Sequence, residues 1–90
     1  MTKIVRKASA GTLESSDALV EIVPAADFSL ELSSLVMERF GKAIEKTARD
    51  ELSRLGVEKA VVRISDRGAL DCVLRARIEA AVLRAKEEEL

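Results

Sequence analysis

Histidine, tryptophan and tyrosine are absent from this chain, which has one cysteine, one proline and two phenylalanines. Without histidine, no Ser-His or Cys-His nucleophile system can be assembled from this polypeptide alone. A single cysteine cannot close an internal disulfide or build a multi-thiolate zinc site, and a reduced, cytoplasmic setting is expected. Phe28 and Phe40 are the whole aromatic supply, too little for a platform that stacks single-stranded bases. Charge of one sign is lacking too. Fifteen Lys+Arg against 16 Asp+Glu leave −1 at pH 7, so no global attraction draws the chain to nucleic acid. Apolar runs are as short as Ala60-Val61-Val62, and none of them spans a membrane. The basic start Met1-Thr2-Lys3-Ile4-Val5-Arg6-Lys7 has no apolar segment behind it, so a secretory signal is not expected.

What is present suits a single domain over residues 1–90. The chain is 48% hydrophobic and 34% charged, the balance of a folded globule and not of a disordered chain. At this length folding hides roughly 60–65% of the unfolded surface, enough for one modest core. The composition favours a small binding or carrier domain over a self-sufficient enzyme. Segments 1–8 and 87–90 are expected to fray, the latter because Glu87-Glu88-Glu89 opposes the dipole at a helix C-terminus.

Periodicity gives the elements. Residues 10–13 read as a weak strand, and Glu14-Ser15-Ser16-Asp17 as a polar turn, since Ser and Asp hydrogen-bond nearby backbone. Residues 18–24, Ala-Leu-Val-Glu-Ile-Val-Pro, are β-branched and stop at Pro24. Phe28, Leu30 and Leu32 alternate with Ser29, Glu31 and Ser33, a period-2 pattern with one dry face. Pro24-Ala25-Ala26-Asp27 is short enough to be the hairpin loop joining these two strands. Ser33 and Ser34 offer N-cap oxygens to a helix whose apolar stripe is Val36, Phe40, Ala43, Ile44, Thr47, Ala48, Leu52 and Leu55. Gly56 stands where a left-handed residue would stop it. Gly41 is costly inside a helix, and close approach to the sheet is its expected reason. Residues 57–65 return to strand, Asp66-Arg67-Gly68 turns, and a second helix runs from about 69 to 86. The sum is β-β-β-α-β-α: a two-layer α+β sandwich, a small, mostly antiparallel sheet with two helices on one face.

The second helix holds more apolar surface than one contact needs. Leu70, Leu74, Ile78, Ala81 and Ala85 form its main stripe; Cys72, Ala76 and Leu83 lie roughly opposite, flanked on one side by Arg75 and Glu79. That second stripe is either a boundary of small residues or a docking face for a larger protein. Cys72, with no histidine to activate it, reads more simply as a small hydrophobe than as a nucleophile. Asp66 and Asp71 read as a turn residue and a first-turn helix acid in preference to a metal pair. Arg75, Arg77 and Arg84 form a solvated basic face, or hold acidic groups of a partner or phosphates. A serine at the 14–17 turn has one special property: its hydroxyl projects from the core and is open to a modifying enzyme.

The blocks Ala10-Gly11-Thr12-Leu13-Glu14-Ser15 and Gly68-Ala69-Leu70-Asp71-Cys72-Val73-Leu74-Arg75-Ala76-Arg77 resemble the acyl carrier protein, the gamma subunit, of bacterial citrate lyase. The resemblance runs through nearly the whole chain in the same order. It implies a non-catalytic carrier subunit whose serine, here Ser15, bears phosphoribosyl-dephospho-CoA through a phosphodiester. The arm's thiol would present acetyl and citryl thioesters to the alpha (acyl transferase) and beta (citryl lyase) subunits as citrate is cleaved to acetate and oxaloacetate. A prosthetic-group transferase (holo-carrier synthase) and an acetate-activating ligase are the further partners it implies, with no nucleic acid and no membrane. The next residue departs from the pattern: the family usually has Gly where this chain has Ser16. A glycine would take positive φ freely there, whereas serine is strained, and Ser16 adds a second hydroxyl beside the first. The carrier subunit of malonate decarboxylase, with the same type of arm, and a small α/β interaction module without a prosthetic group are the alternatives.

Overall fold

The computed structural model describes residues 1–88. Its elements are β1 (Ala8–Gly11), β2 (Ala18–Pro24), β3 (Ser29–Ser34), α1 (Met37–Arg54), β4 (Ala60–Asp66) and α2 (Asp71–Ala85). The expected order β-β-β-α-β-α and the two-layer α+β architecture are borne out. The strands form one sheet ordered β1-β2-β4-β3, antiparallel except where β3 runs parallel to β4. Alternation decides its faces. Ala18, Val20 and Ile22 of β2 and Ala60, Val62 and Ile64 of β4 are all buried, in register as Val20 with Ile64 and Ile22 with Val62. Onto this surface α2 lays Leu74, Ile78, Ala81, Val82 and Ala85, and α1 lays Ala48 and Leu52. Full burial of a side chain such as Ile22 or Ile78 contributes about 2 kcal/mol.

The sheet corrects the expected hairpin. Residues 24–27 do not join paired neighbours, because β4 inserts between β2 and β3 and bonds to both. The reason is hydrophobic: β4 carries Ala60, Val61, Val62 and Ile64 and is best hidden in the sheet interior, while β3, with Ser29, Glu31 and Ser33 on its outer face, tolerates an edge. α1 then serves as the crossover that parallel strands require.

Four local readings also change. β1 spans Ala8–Gly11 rather than 10–13, because Gly11 takes φ +93° and ends it. β4 begins at Ala60 rather than at residue 57. Ser33 and Ser34 stay in β3 and do not cap α1, whose N-cap is Val36 with no side-chain cap bond. The Ser34 hydroxyl is used at the corner instead, donating to Asp66 Oδ2 at 2.7 Å and accepting the Val36 N–H at 3.1 Å. Gly41 is roofed by its own helix: the nearest atoms to an added Cβ belong to Met37, at 3.1 Å and beyond. The stop at Gly56 holds, with φ +74°. Its N–H bonds Ser53 O and the Val57 N–H bonds Leu52 O, the paired arrangement of a left-handed helix terminator.

Both helices depart from their expected apolar stripes at their N-terminal ends. Leu70 precedes α2 as its N-cap and is 69% exposed, and Phe40 near the start of α1 is 46% exposed. An open apolar groove of about 490 Å³ lies between these ends, bordered by Phe40, Ile44, Leu70 and Leu74. Before β1, the Thr2 N–H bonds Gly56 O, the Val5 N–H bonds Ala85 O, and Ile4 is buried. The Glu87 N–H bonds Lys3 O; residues 89 and 90 of the segment expected to fray lie outside the described residues. Among the described residues, no helix is long and apolar enough to cross a membrane.

Gly11 gives the sharpest test of this geometry. A Cβ there would sit 1.8 Å from the Ala18 carbonyl oxygen and 3.1 Å from Arg77 Cδ, on backbone at positive φ. Gly11→Ala is expected to destabilise the domain by about 2–4 kcal/mol. Urea unfolding would measure it, and a loss under about 0.5 kcal/mol would contradict the packing described.

Candidate functional site

The turn between β1 and β2 is built around one carboxylate. Asp17 Oδ1 accepts the Ala18 N–H at 2.7 Å and Arg77 Nε at 2.9 Å; Oδ2 accepts the Thr12 hydroxyl at 2.7 Å and Arg77 Nη2 at 3.0 Å. Four acceptor positions are thereby filled, which is what a carboxylate offers. The Glu14 N–H bonds Thr12 Oγ1, and the Asp17 N–H bonds Glu14 O. The outer rung is backbone: the Ser16 N–H donates to Arg67 O at 2.8 Å, and the Arg67 N–H to Asp17 O at 2.9 Å. The turn is thus tied to the β4–α2 corner and to the body of α2, and Ser15 stands exposed at its tip. Among the described residues, the Ser15 hydroxyl takes part in no intramolecular hydrogen bond.

Ser16 occupies the left-handed region at φ +66°, the one non-glycine residue to do so among those described. That is the conformation a glycine would take without strain.

The corner opposite is organised by Asp66, which is buried and accepts the Gly68 N–H at 3.1 Å, the Ala69 N–H at 3.0 Å and the Ser34 hydroxyl. Asp71 instead accepts Arg75 Nε at 2.9 Å and the Thr47 hydroxyl, and these hold its carboxyl below the usual range, Thr47 first.

The structure separates the arginines that the sequence grouped. Arg77 is committed to Asp17, 60 residues away. Arg75 pairs with Asp71 one turn back on α2 and reaches across the helix–helix seam to Glu51. Glu51 is buried in α1 and also held by Arg54, so its carboxyl titrates below the usual range despite burial, with the Arg54 hydrogen bond the main cause. Arg84 donates to Ser9 O. Cys72, Ala76 and Leu83 are exposed together on the outward side of α2, Leu83 at 53%. Sequence reasoning took Asp17 only as a turn former and missed its pairing with Arg77. No periodicity signals that pair, although the two residues close or border the two sequence blocks singled out above.

Comparison with known proteins bears on the whole chain. The family model described as malonate decarboxylase delta subunit (MdcD), an acyl carrier protein family, matches residues 5–85. The citrate lyase acyl carrier protein of Rhodopseudomonas palustris is 58% identical over 87 residues, covering 96% of this chain and 90% of its own. Citrate lyase acyl carrier protein 2 of Salmonella typhimurium is 53% identical over 88 residues, covering 96% and 91%. The chain belongs to the citrate lyase acyl carrier protein family. The fold has a solved counterpart in the Pseudomonas malonate decarboxylase hetero-tetramer, at a TM-score of 0.77 and 18% identity over 93% of both chains. In this citrate lyase carrier-family chain, then, the two resembling blocks are adjacent in space: Arg77 of the second lies over Gly11 of the first.

The Asp17 cluster carries a pH signature. Its hydrogen bonds to Arg77 first, then to Thr12 and the Ala18 N–H, hold the carboxyl well below its ordinary value of 3.8. Folding therefore favours the ionised form. Its contribution is complete above the unfolded-state pKa, near 4, and is lost as pH falls through the lower folded value. The stability difference between the wild type and Asp17→Asn is expected to stay level from pH 7 to about 5 and to narrow below about pH 4. Urea midpoints over that range would check it; a difference that narrows above pH 5 would contradict the assignment.

Proposed function

We propose that this chain is the acyl carrier subunit of citrate lyase, and that Ser15 is the residue to which phosphoribosyl-dephospho-CoA is joined through a phosphodiester. The observation that carries the reading is Ser15 itself: an exposed, unengaged hydroxyl at the tip of a turn braced on both sides. A primary hydroxyl in that position fits a phosphodiester chemically, and nothing in the turn needs it for folding. In the attachment step Ser15 Oγ bonds to phosphorus and gives up its proton. The bond from phosphorus to a phosphoric-anhydride leaving group breaks, and no electron changes hands. When attached, the group supplies a thiol that holds acyl groups as thioesters, the chemistry for which this chain has no residues of its own. The chain's work is to hold the anchor still and to dock. A tether of this kind keeps its cargo near both partner sites at an effective concentration of order millimolar.

Citrate lyase is favoured over malonate decarboxylase because relatives named for it are 53–58% identical over nearly the full chain. The malonate decarboxylase counterpart shares 18% and supports the fold alone. Under this reading the alpha and beta subunits, a prosthetic-group transferase and an acetate-activating ligase are its partners, in the cytoplasm. The outward face of α2, with Cys72, Ala76 and Leu83, is the proposed docking surface; Arg75 and Arg77 border it but are already engaged within the domain.

Two experiments follow. Intact mass of protein isolated from its native host should show one phosphate-containing adduct, absent in Ser15→Ala. Persistence of the adduct in that variant would move the site, Ser16 being the first place to look. Ser16→Gly should keep the adduct and gain about 0.5–1 kcal/mol of stability by relieving the left-handed serine. Separately, Leu83→Glu should weaken assembly with the alpha and beta subunits by roughly tenfold or more while the isolated domain melts as the wild type does. Unaltered assembly would remove α2 from the docking surface.

A further inference from the structure

The geometry points to Arg77 and Asp17 as positioning residues for the modification of Ser15: a bidentate clamp that presents the turn to the transferase in one conformation. The inference rests on the reading of Ser15 given above and adds the device by which the anchor is displayed.

A surface turn of residues 12–17 would ordinarily sample many conformations, and an enzyme acting on its tip would have to select one. Here the backbone bonds to Arg67 hold the outer rung, and a single charged group organises the rest. The fork of Arg77 meets both oxygens of Asp17, at 2.9 and 3.0 Å, and each oxygen takes one further donor from the turn itself. Thr12 and Ala18 therefore hang on the same carboxylate, one on either side of Ser15. The base of the clamp is rigid, because Arg77 rises from α2 between the buried Leu74 and Ile78. Its stem lies against Gly11, where even a methyl group would come within 3.1 Å of Arg77 Cδ. The Asp17 side chain is only 13% exposed, so the pair is sheltered on the carboxylate side. Paired forks of this type give direction as well as attraction. Lysine, a point charge without the fork, cannot replace arginine there. Neither residue is asked to touch the reacting atoms; the pair acts through the conformation of the turn.

The test uses the full chain, the prosthetic-group transferase and the arm as its phosphoric-anhydride donor, with mass gain as the assay. Arg77→Gln and Asp17→Asn are each expected to raise the KM for the carrier roughly tenfold with kcat unchanged, as when the competent turn falls to about a tenth of the population. The double variant should lose no more than either single one, because the two residues form one unit. Arg77→Lys should recover little of the loss. An unmoved KM in both single variants, or losses that multiply in the double variant, would overturn the proposal. A second measurement needs no transferase and is made well below the melting temperature of every variant. In both single variants the Ser16 and Arg67 amides should exchange with deuterium at least roughly tenfold faster, while Val62 in the sheet interior stays as protected as in the wild type. Unchanged exchange at Ser16 and Arg67 would equally overturn the clamp. The two readings fail separately. An adduct that survives Ser15→Ala defeats the Ser15 assignment, whereas a normal Ser15 adduct formed at the normal KM in Arg77→Gln defeats only the clamp.

Discussion

One ion pair joins the two regions that set this chain apart. Asp17 leaves β2's leading end and Arg77 leaves the middle of α2, and their fork-to-carboxylate contact closes a loop of 60 residues. Exposed ion pairs contribute little, typically under about 1 kcal/mol, and many contribute nothing measurable. This one differs in kind. Its carboxylate is sheltered, both its oxygens are doubly engaged, and it organises backbone on either side of it. Its value lies in orientation more than in energy, because the apolar layer beneath is sufficient to hold the fold together.

That layer explains why the Ser15 turn lies where it does. β2 and β4 occupy the sheet interior and carry the most continuous apolar faces, so β1 and β3 are left as edges. The connection entering β2 and the connection leaving β4 therefore meet at one end of the sheet. They are extended past Ala18 and Asp66 by the two backbone bonds between Ser16, Asp17 and Arg67. The tip beyond those bonds has no core to serve. A residue placed there is free to be chemically useful, and its neighbours are free to be inert. A body without histidine, with its one thiol on a helix surface, is well matched to a role in which the reactive atom arrives with a cofactor.

Most of the elements could be read directly, because they follow from local rules. Residues 18–24 announce a strand by β-branching, the α1 stop follows from Gly56, and the α2 core follows from Leu74, Ile78, Ala81 and Ala85. What could not be read was which elements meet. Alternation in residues 28–33 says that one face is dry, but not that β4 would separate this strand from β2. Ser34 has the chemistry of a helix cap, yet its hydroxyl donates to Asp66, 32 residues away. Leu70 has the right spacing for the α2 stripe but lies one residue before the helix begins. Arg77 looked like one of three solvated arginines because its partner is encoded in a different turn. In each case a pairing of distant residues decided the outcome, and periodicity carries no information about such pairings.

Ser16 is where the two kinds of information meet. Its φ of +66° costs a serine about 1 kcal/mol relative to a backbone that relaxes to the right-handed side. That relaxation would swing the Ser16 N–H away from Arg67 O and turn the peptide bond that positions Ser15. The strain is sustained because the turn is held from outside itself, by Arg67 on one flank and by the Asp17–Arg77 fork on the other.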